Sequence, residues 1–268
     1  GDKTIPLSGK WKYKVSASNS DFDFVEYGPN AYPSLLYNAM VNPLVGLSMQ
    51  GVIWYQGENN TNRAKEYYHL FPAMINDWRK KWGKDFPFYW VQLANYMDVV
   101  EVPSESLWAQ VREAQTQTLS LSHTGQAVII DIGEAKDIHP KNKQEVGRRL
   151  ALHALHNDYG FSDVVCESPM PKTVRRVQDK IVVQFDNVAD GLIVKNKYGY
   201  LMSFAVAGND GVYKWVQAKV AGKDRVVLSC PDVIDPVSVR YAWGDNPDDA
   251  NLYNSVGLPA TPFEIKIE

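Results

Sequence analysis

Four apolar residues, Val52-Ile53-Trp54-Tyr55, are followed directly by a polar run, Gln56-Gly57-Glu58-Asn59-Asn60. The apolar run has the length and the residue types of a buried strand. A helical pattern follows over residues 61–82, with its apolar side chains on one face, although Pro72 should kink that helix or move its start. We therefore expect a strand that ends in polar residues and leads into a helix.

The same order of elements is repeated twice further along the chain. Strand patterns stand at residues 88–93 and 126–131, and helical patterns stand at residues 104–121 and 142–159. Strands that alternate with helices form parallel sheets covered by helices, and ligands bind outside the carboxyl ends of such strands. The sequence therefore predicts an α/β domain over residues 34–163.

The pattern changes after Gly160, where short apolar runs are separated by turn residues at the spacing of antiparallel strands. These runs lie at residues 181–185, 225–228 and 237–241. We place a domain boundary near Val164 and predict a small antiparallel β domain over residues 164–268. Residues 1–33 are polar, with one strand pattern at residues 11–15, and indicate the tail of another unit and a linker.

Composition excludes several classes of protein. Hydrophobic residues make up 45% of the 268 residues and charged residues 22%, which is typical of a globular protein that can bury a core. The formal net charge is -3 and no Lys/Arg block is present, so neither nucleic acid nor a membrane surface is an expected partner. No apolar run reaches the ~20 residues that are needed to span a bilayer.

The two cysteines, Cys166 and Cys230, lack the CxxC or Cys/His spacing of zinc sites. We expect no metal and no cofactor. Two buried free thiols are the favoured interpretation, because two cysteines in a chain of this length do not make a disulfide framework. A disulfide between them is the alternative.

The polar run at residues 56–60 is the first candidate site. Gly57 lets the backbone approach a ligand closely, and the amide side chains of Gln56 and Asn59 can donate hydrogen bonds to an oxyanion. The alternative is an ordinary strand-to-helix turn in which Asn60 or Thr61 caps the next helix. Composition alone leaves both interpretations open.

A second candidate site is the loop that follows the third strand pattern. It contains Asp137-Ile138-His139-Pro140, and the proline disfavours helical geometry at His139, so the imidazole is presented from a loop. A carboxylate two residues before a histidine can fix the ring in one tautomer while the other nitrogen acts as a base. Asp131 is a rival for this role, but Asp137 lies in the same short turn as His139.

These segments stand among others whose order and spacing resemble the sialate O-acetylesterase family, which belongs to the Ser-Gly-Asn-His type of hydrolases. The segments are Leu36-Tyr37-Asn38-Ala39-Met40-Val41, Trp54-Tyr55-Gln56-Gly57-Glu58-Asn59-Asn60, Asp77-Trp78-Arg79, Pro87-Phe88, Val91-Gln92-Leu93-Ala94, Arg112-Glu113-Ala114-Gln115 and Asp137-Ile138-His139-Pro140-Lys141-Asn142-Lys143. The resemblance is dense over residues 35–160 and looser beyond them. It implies a flavodoxin-like hydrolase domain that removes acetyl groups from O-acetylated sugars, with 9-O-acetyl sialic acid favoured. It also implies that residues 1–33 are the tail of a missing or inserted β domain and a linker, because residues 5–14 resemble the trailing edge of a β domain that some members carry.

The resemblance also implies roles for single residues. His139 is the general base, Asp137 its orienting acid, and Gln56 an oxyanion donor where other members have Asn. Gly57 and Glu58 shape the same wall of the pocket, and Asn59 is a further oxyanion or substrate-binding candidate. The implied reaction is serine-histidine-aspartate acyl transfer without a cofactor, and a role in glycan processing favours a periplasmic or secreted location.

One element of the family is not found. Its members carry the nucleophilic serine in a Gly-Gln-Ser-Asn motif near the start of the domain, and this chain has no such motif. Ser48, in Gly46-Leu47-Ser48-Met49-Gln50-Gly51, misses a Gly-x-Ser-x-Gly elbow by one residue and enters a strand instead of leaving one. We therefore expect the carboxy-terminal portion of a longer enzyme, inactive alone, with the first strand and the nucleophile in a missing amino-terminal segment.

Three other functions stay open at this point: an acetylxylan-type esterase, a non-catalytic carbohydrate-binding protein and a glycosidase. Aromatic residues make up 12% of the chain, and sugars stack on exposed rings, although Trp90 and Trp108 are equally suited to a core. A glycosidase would use Glu58 and Asp137 as paired carboxylates. Neither the binding protein nor the glycosidase explains why an amide, an imidazole and a carboxylate converge at two strand ends.

Overall fold

The computed structural model describes residues 10, 12, 14, 28 and 32–268. The chain divides into two compact units, Gly1–Ser48 and Met49–Glu268. In the first unit the described residues form a π-helical segment, Tyr37–Val41, and a 3-10 turn, Asn42–Leu44. The strand expected at residues 11–15 falls largely outside the described residues.

The second unit contains the parallel sheet that the sequence predicts. Its strands are β1 (Val52–Trp54), β2 (Phe88–Val91) and β3 (Thr124–Ala127), in the order β1-β2-β3. Both pairs are parallel, with Trp54 opposite Trp90 and Trp90 opposite Gln126. Within the part of the chain that the structure describes, β1 therefore forms one edge of the sheet, and Ile53 in its middle is 71% exposed.

Three helices follow the strands, and side-chain caps explain where two of them begin. The helices are α1 (Ala64–Trp82), α2 (Leu107–Gln117) and α3 (Lys143–Asn157). Ser106 accepts a hydrogen bond from the backbone N–H of Ala109 at 2.8 Å and so fixes the start of α2. Asn142 accepts one from Glu145 at 3.2 Å and fixes the start of α3. Pro72 lies inside α1 and does not end it.

The helices cover both faces of the sheet. On one face, Phe71 of α1 packs edge-on against Trp90, with ring centroids 5.1 Å apart, and Val111 of α2 belongs to the same apolar core. On the other face, Tyr89 and the strand residues beside it pack against Val146 of α3. The C-terminal β region packs on the carboxyl end of β2 and on the residues after β3, whereas Tyr55 and Gln56, at the carboxyl end of β1, line an open pocket.

The third strand is shorter than the sequence suggests. The predicted range, residues 126–131, is wrong because β3 ends at Ala127, where the backbone N–H of Gln92 makes the last bond to it, at 3.0 Å. Val128 and Ile130 beyond it are buried in the core of the C-terminal β region. The apolar run therefore reflects burial between two cores and not strand pairing alone.

The residues that follow α3 form antiparallel β-structure, as the sequence predicts. The strands are β4 (Met170–Val177), β5 (Lys180–Asp186), β6 (Leu192–Val194), β7 (Phe204–Ala207), β8 (Tyr213–Trp215), β9 (Gln217–Ala221), β10 (Arg225–Ser229), β11 (Ser238–Tyr241), β12 (Leu252–Asn254) and β13 (Phe263–Lys266). They pair as β4-β5-β10-β9, β13-β11-β7-β8 and β12-β6. Both four-stranded sheets contribute to one apolar core, with Val183 and Val226 from the first and Phe204 and Val239 from the second.

The two cysteines behave as structural residues. Cys166 and Cys230 are buried and unbonded, which confirms the expected free thiols. Burial raises the pKa of the Cys166 thiol to about 11, so the reactive thiolate is scarce at neutral pH. Among the described residues, no helix is long and apolar enough to cross a membrane.

Candidate active site

A shallow pocket of about 360 Å³ lies where β1 ends, beside the loop that leads into α3. Its lining residues are Tyr55, Gln56, Glu58, Asn59, Ile138, His139 and Lys143. Four of the six candidate residues, Gln56, Glu58, Asn59 and His139, thus share one pocket. The other two, Gly57 and Asp137, stand beside it in sequence without lining it, and no serine is among the lining residues.

The side-chain amide of Gln56 is held at both ends. Its Nε2 donates to Oδ1 of Asn60 at 2.7 Å, and its Oε1 accepts from the hydroxyl of Tyr67 at 3.0 Å. Its backbone oxygen also accepts from Nε2 of Gln115, at 3.2 Å. The amide is therefore fixed in orientation, with one further N–H of Nε2 to offer to a ligand in the pocket.

The turn after β1 requires a glycine at residue 57. Gly57 has φ of +148°, and a Cβ there would lie 3.1 Å from Nε2 of Gln115 and 3.2 Å from Cδ2 of Leu93. The turn leads into a 3-10 segment, Glu58–Arg63, before α1 starts. No side chain caps α1, so a capping role for Asn60 or Thr61 is wrong.

His139 stands on an open loop. Its imidazole is 86% exposed, and its backbone N–H donates to Oδ1 of Asp137 at 2.9 Å. The same oxygen lies 3.7 Å from Nδ1 of the ring, which is close enough for attraction to an imidazolium and too far for a hydrogen bond. Asp137 thus stabilises the turn through the backbone of His139 and lies next to the imidazole, but it makes no hydrogen bond to the ring.

The rival carboxylate, Asp131, is engaged elsewhere. Arg149 of α3 bonds both of its oxygens, at 2.6 and 2.9 Å, and the hydroxyl of Tyr253 approaches it at 3.3 Å. Arg149 also bonds Glu145. Hydrogen bonds from Arg148 and Arg149 lower the pKa of Glu145 to about 2, so this ion-pair network is charged at neutral pH. Asp137 is the carboxylate that remains beside His139.

The pocket also contains a cation, Lys143, to which the sequence assigns no role. Lys143 is the first residue of α3, where the helix dipole disfavours a positive charge. Its Nζ lies 4.5 Å from the centroid of the Tyr55 ring, and in the described part of the chain no carboxylate is within ion-pair distance of it. Burial, and then the charge of Glu58, raises the pKa of Tyr55 to about 12, so this phenol stays protonated.

Two buried polar residues of α2 support the site, and the sequence did not reveal what they do. Gln115 accepts from the N–H of Leu93 at 3.0 Å while it donates to Gln56, so it ties the end of β1 to the end of β2. Arg112 donates to four carbonyl oxygens and joins the end of β2 to the C-terminal β region. These oxygens belong to Leu93 (2.8 Å), Ala94 (2.7 Å), Gly244 (2.6 Å) and Asp245 (2.9 Å).

The geometry weighs against a glycosidase and removes two of the rings that a carbohydrate-binding protein could use. Trp90 and Trp108 are buried, so these rings cannot stack on a sugar. Glu58 lines the pocket and Asp137 does not, so the pocket does not hold the paired carboxylates of a glycosidase. No group of three His, Cys, Asp or Glu side chains in the described ranges could hold a metal ion.

Ligands of open α/β sheets bind outside the carboxyl ends of the strands, which is the side of the sheet where Gln56 and His139 line the pocket. A family described as carbohydrate esterase, sialic acid-specific acetylesterase, matches residues 20–156, just over half of the 268 residues. The chain belongs to this family, which confirms the resemblance seen in the sequence.

Individual relatives agree with this assignment. The sialate O-acetylesterase of Homo sapiens is 31% identical over an alignment of 264 positions that covers 88% of this chain and 49% of the relative. That of Rattus norvegicus is 31% identical over an alignment of 278 positions that covers 91% of this chain and 50% of the relative. The crystal structure of a carbohydrate acetylesterase from Xanthomonas citri has a TM-score of 0.83 and 45% identity, over 88% of this chain and 55% of that one. The chain thus spans about half the length of the curated relatives that it matches.

Proposed function

We propose that the protein to which this chain belongs is a carbohydrate O-acetylesterase that works by serine-histidine-aspartate acyl transfer. The observation that carries the proposal is that Gln56, which follows β1, and His139, from the loop between β3 and α3, line one pocket. Family membership supports the same chemistry, because the relatives named above are acetylesterases.

In the proposed reaction, His139 takes the proton of a serine hydroxyl while that oxygen attacks the acetyl carbonyl. The free N–H of Gln56 donates to the oxyanion that forms, and the charge of Asp137 stabilises the imidazolium. The imidazolium then gives its proton to the sugar oxygen as the C–O bond breaks, which leaves an acetyl-serine. Water repeats the sequence with His139 as the base and releases acetate and the free serine.

We place the nucleophilic serine outside residues 34–160, in an amino-terminal segment that adds a strand beside β1. Among the described residues no strand pairs with the outer edge of β1, which supports this placement, because exposed strand edges are costly and are normally paired or covered. Ile53 supports it as well. This side chain is 71% exposed although its neighbour in the sheet, Tyr89, is covered by α3.

We propose an acidic sugar, 9-O-acetyl sialic acid, as the substrate and acetylated xylan as the alternative. Lys143 supports the acidic sugar, since its charge has no carboxylate partner among the described residues and a sialic acid carboxylate would provide one. The names of the mammalian relatives point the same way. A glycan substrate of this kind is met outside the cytoplasm, so we propose a periplasmic or secreted location.

The test of the reaction compares two preparations. One is this chain alone, and the other is the intact protein, meaning the chain with the proposed amino-terminal segment. Acetate release from an aryl acetate should occur in the intact protein, fall at least ~10³-fold in its His139→Ala variant, and be at that background in the chain alone. Turnover by the chain alone would disprove the placement of the serine, and a fully active His139→Ala variant would disprove the mechanism.

The substrate is tested with the Lys143→Met variant of the intact protein. We expect kcat/KM to fall about tenfold on 9-O-acetyl sialic acid, as for one lost charge-assisted contact, and to stay unchanged on acetylated xylose. Equal losses on both sugars would contradict a role in recognising the carboxylate. An aryl acetate serves as the control for an intact catalytic centre.

A further inference from the structure

The loop that carries His139 is fastened to the end of β2 at two points. The backbone N–H of Gly133 donates to Oδ1 of Asn95 at 2.7 Å, and the N–H of Met97 donates to the carbonyl oxygen of Ala135 at 3.0 Å. A Cβ on Gly133 would collide with the backbone and the side chain of Asn95, so the close approach depends on glycine. Beyond Ala135, the hydrogen bonds made by Asp137 and His139 join residues of the same loop.

The end of β2 is in turn held by the C-terminal β region. Nδ2 of Asn95 donates to Oδ1 of Asn246 at 2.9 Å, and Nδ2 of Asn246 donates to the carbonyl oxygen of Met97 at 2.7 Å. Both asparagines are buried, with 8% and 5% of their surface exposed. Buried amides with both ends bonded have one orientation, because turning either one over would leave a donor facing a donor. The bonds therefore run without a break from Asn246 through Asn95 to Gly133.

We propose that Asn246 and Asn95 are positioning residues for His139, so that the C-terminal β region sets the geometry of the catalytic loop. The imidazole is 86% exposed, and so packing around the ring itself contributes little to its position. The position of the ring then depends on where the base of the loop is anchored. An error of ~1 Å in the position of a general base is enough to cost a large part of its rate. The catalytic consequence rests on the proposed function, whereas the mechanical coupling does not.

Amide hydrogen exchange of this chain tests the coupling without any turnover. In Asn246→Ala, we expect residues 132–141 to exchange about tenfold faster than in the wild type. The matched control is Asn254→Ala. Asn254 is another fully buried asparagine of the β region, and its amide bonds Glu167, Asn187 and Leu258 and not the His139 loop. Its loss should destabilise the β region and leave exchange at residues 132–141 unchanged.

Two further measurements keep the proposal open to refutation. If Asn246→Ala does not fold, Asn246→Asp keeps the acceptor for Asn95, replaces the donor to Met97 with a carboxylate oxygen that repels the Met97 carbonyl, and should still speed exchange of the loop. In the intact protein, Asn246→Asp should lower kcat on an aryl acetate severalfold with KM unchanged, whereas Asn254→Ala should change neither.

Unchanged exchange of residues 132–141 in the folded Asn246 variants, or an equal rise in exchange there in Asn254→Ala, would overturn the proposal. An intact wild type without esterase activity would refute the proposed function and leave the exchange result standing.

Discussion

Arg149 forms a two-pronged ion pair with Asp131, with Nη1–Oδ1 at 2.6 Å and Nη2–Oδ2 at 2.9 Å. The two side chains are only 5% and 12% exposed, so the pair is largely shielded from water. Asp137, by contrast, is 41% exposed and stands 3.7 Å from the imidazole of His139. In the sequence, Asp131 and Asp137 are rivals for the role of the acid that orients His139. Because their surroundings differ, we expect neutralising Asp137 to lower activity and neutralising Asp131 to lower stability.

Asp137→Asn should lower kcat of the intact protein at least tenfold, because an amide cannot stabilise the imidazolium that forms on His139. The thermal midpoint should stay close to the wild-type value, since the side chain is exposed and an asparagine oxygen can still accept from the backbone N–H of residue 139. Steady-state kinetics and a thermal scan of the same preparation check both halves. An unchanged kcat would remove Asp137 from the mechanism.

Asp131→Asn should lower the free energy of unfolding by about 2 kcal/mol, because it leaves a buried guanidinium with one charged partner fewer. Glu145 continues to bond Arg149, which keeps the loss below that of a fully orphaned charge. Urea unfolding of the 268-residue chain measures it. A stability equal to that of the wild type would show that the pair contributes no net stabilisation.

Gln56→Ala in the intact protein should reduce kcat about 10²-fold, the usual effect of removing one oxyanion donor. A subtler variant, Tyr67→Phe, removes the hydroxyl that fixes Oε1 of Gln56 and keeps the packing of the ring against Phe71. It should cost severalfold in kcat, because the amide gains freedom to turn its oxygen toward the oxyanion. An effect of Tyr67→Phe as large as that of Gln56→Ala would instead assign a direct role to the tyrosine.

The sequence predicted elements and local motifs well because their signals are local. The strand at Val52 and the polar run after it follow from composition and period, and the Asp137–His139 turn follows from a two-residue spacing. The end of β3 was wrong for a physical reason. Val128 and Ile130 are apolar because they fill the core of a region more than forty residues further on, and periodicity carries no information about such a partner.

The hydrogen bonds that support the candidate site could not be predicted, although the sequence shows every residue that makes them. Arg112 and Gln115 belong to a segment that resembles the family, but a buried arginine on a helix looks like a surface residue until its carbonyl partners are known. Asn95 and Asn246 are 151 residues apart in sequence and 2.9 Å apart in space. Contacts of this kind depend on how whole regions of the chain pack together, so only the three-dimensional structure identifies them.

Arg112→Lys should be strongly destabilising even though it keeps the charge. Burial lowers the pKa of Arg112 to about 9, so the guanidinium stays charged at neutral pH and reaches four carbonyl oxygens. A lysine has three donors on one nitrogen and cannot reach acceptors on both sides of the fork. We expect a loss of at least ~3 kcal/mol in urea unfolding, against little change for Arg148→Lys on the exposed side of α3. A loss below 1 kcal/mol, on the order of a surface change, would contradict this role.

From the surroundings of His153 we predict how the free energy of unfolding changes between pH 7.5 and 5.5. This residue of α3 is 3% exposed, bonds the carbonyl oxygen of Gln126 at 3.0 Å and stacks on Tyr89. Burial lowers its pKa below the usual 6.5, so the unfolded chain binds a proton that the folded chain resists. The stabilisation is therefore complete above pH 6.5 and is lost as the pH falls below it, by up to about 1.4 kcal/mol per pH unit.

Urea unfolding of the chain at pH 7.5, 6.5 and 5.5 measures this loss, in a range where Glu145 does not titrate in the folded state because its pKa is about 2. In His153→Gln, the free energy of unfolding should be lower at pH 7.5, since the stacking is lost, and should vary less with pH. His69→Gln, on the exposed side of α1, should retain the wild-type dependence. If His153→Gln and the wild type lose the same free energy between pH 6.5 and 5.5, the buried imidazole is not the group whose protonation destabilises the fold.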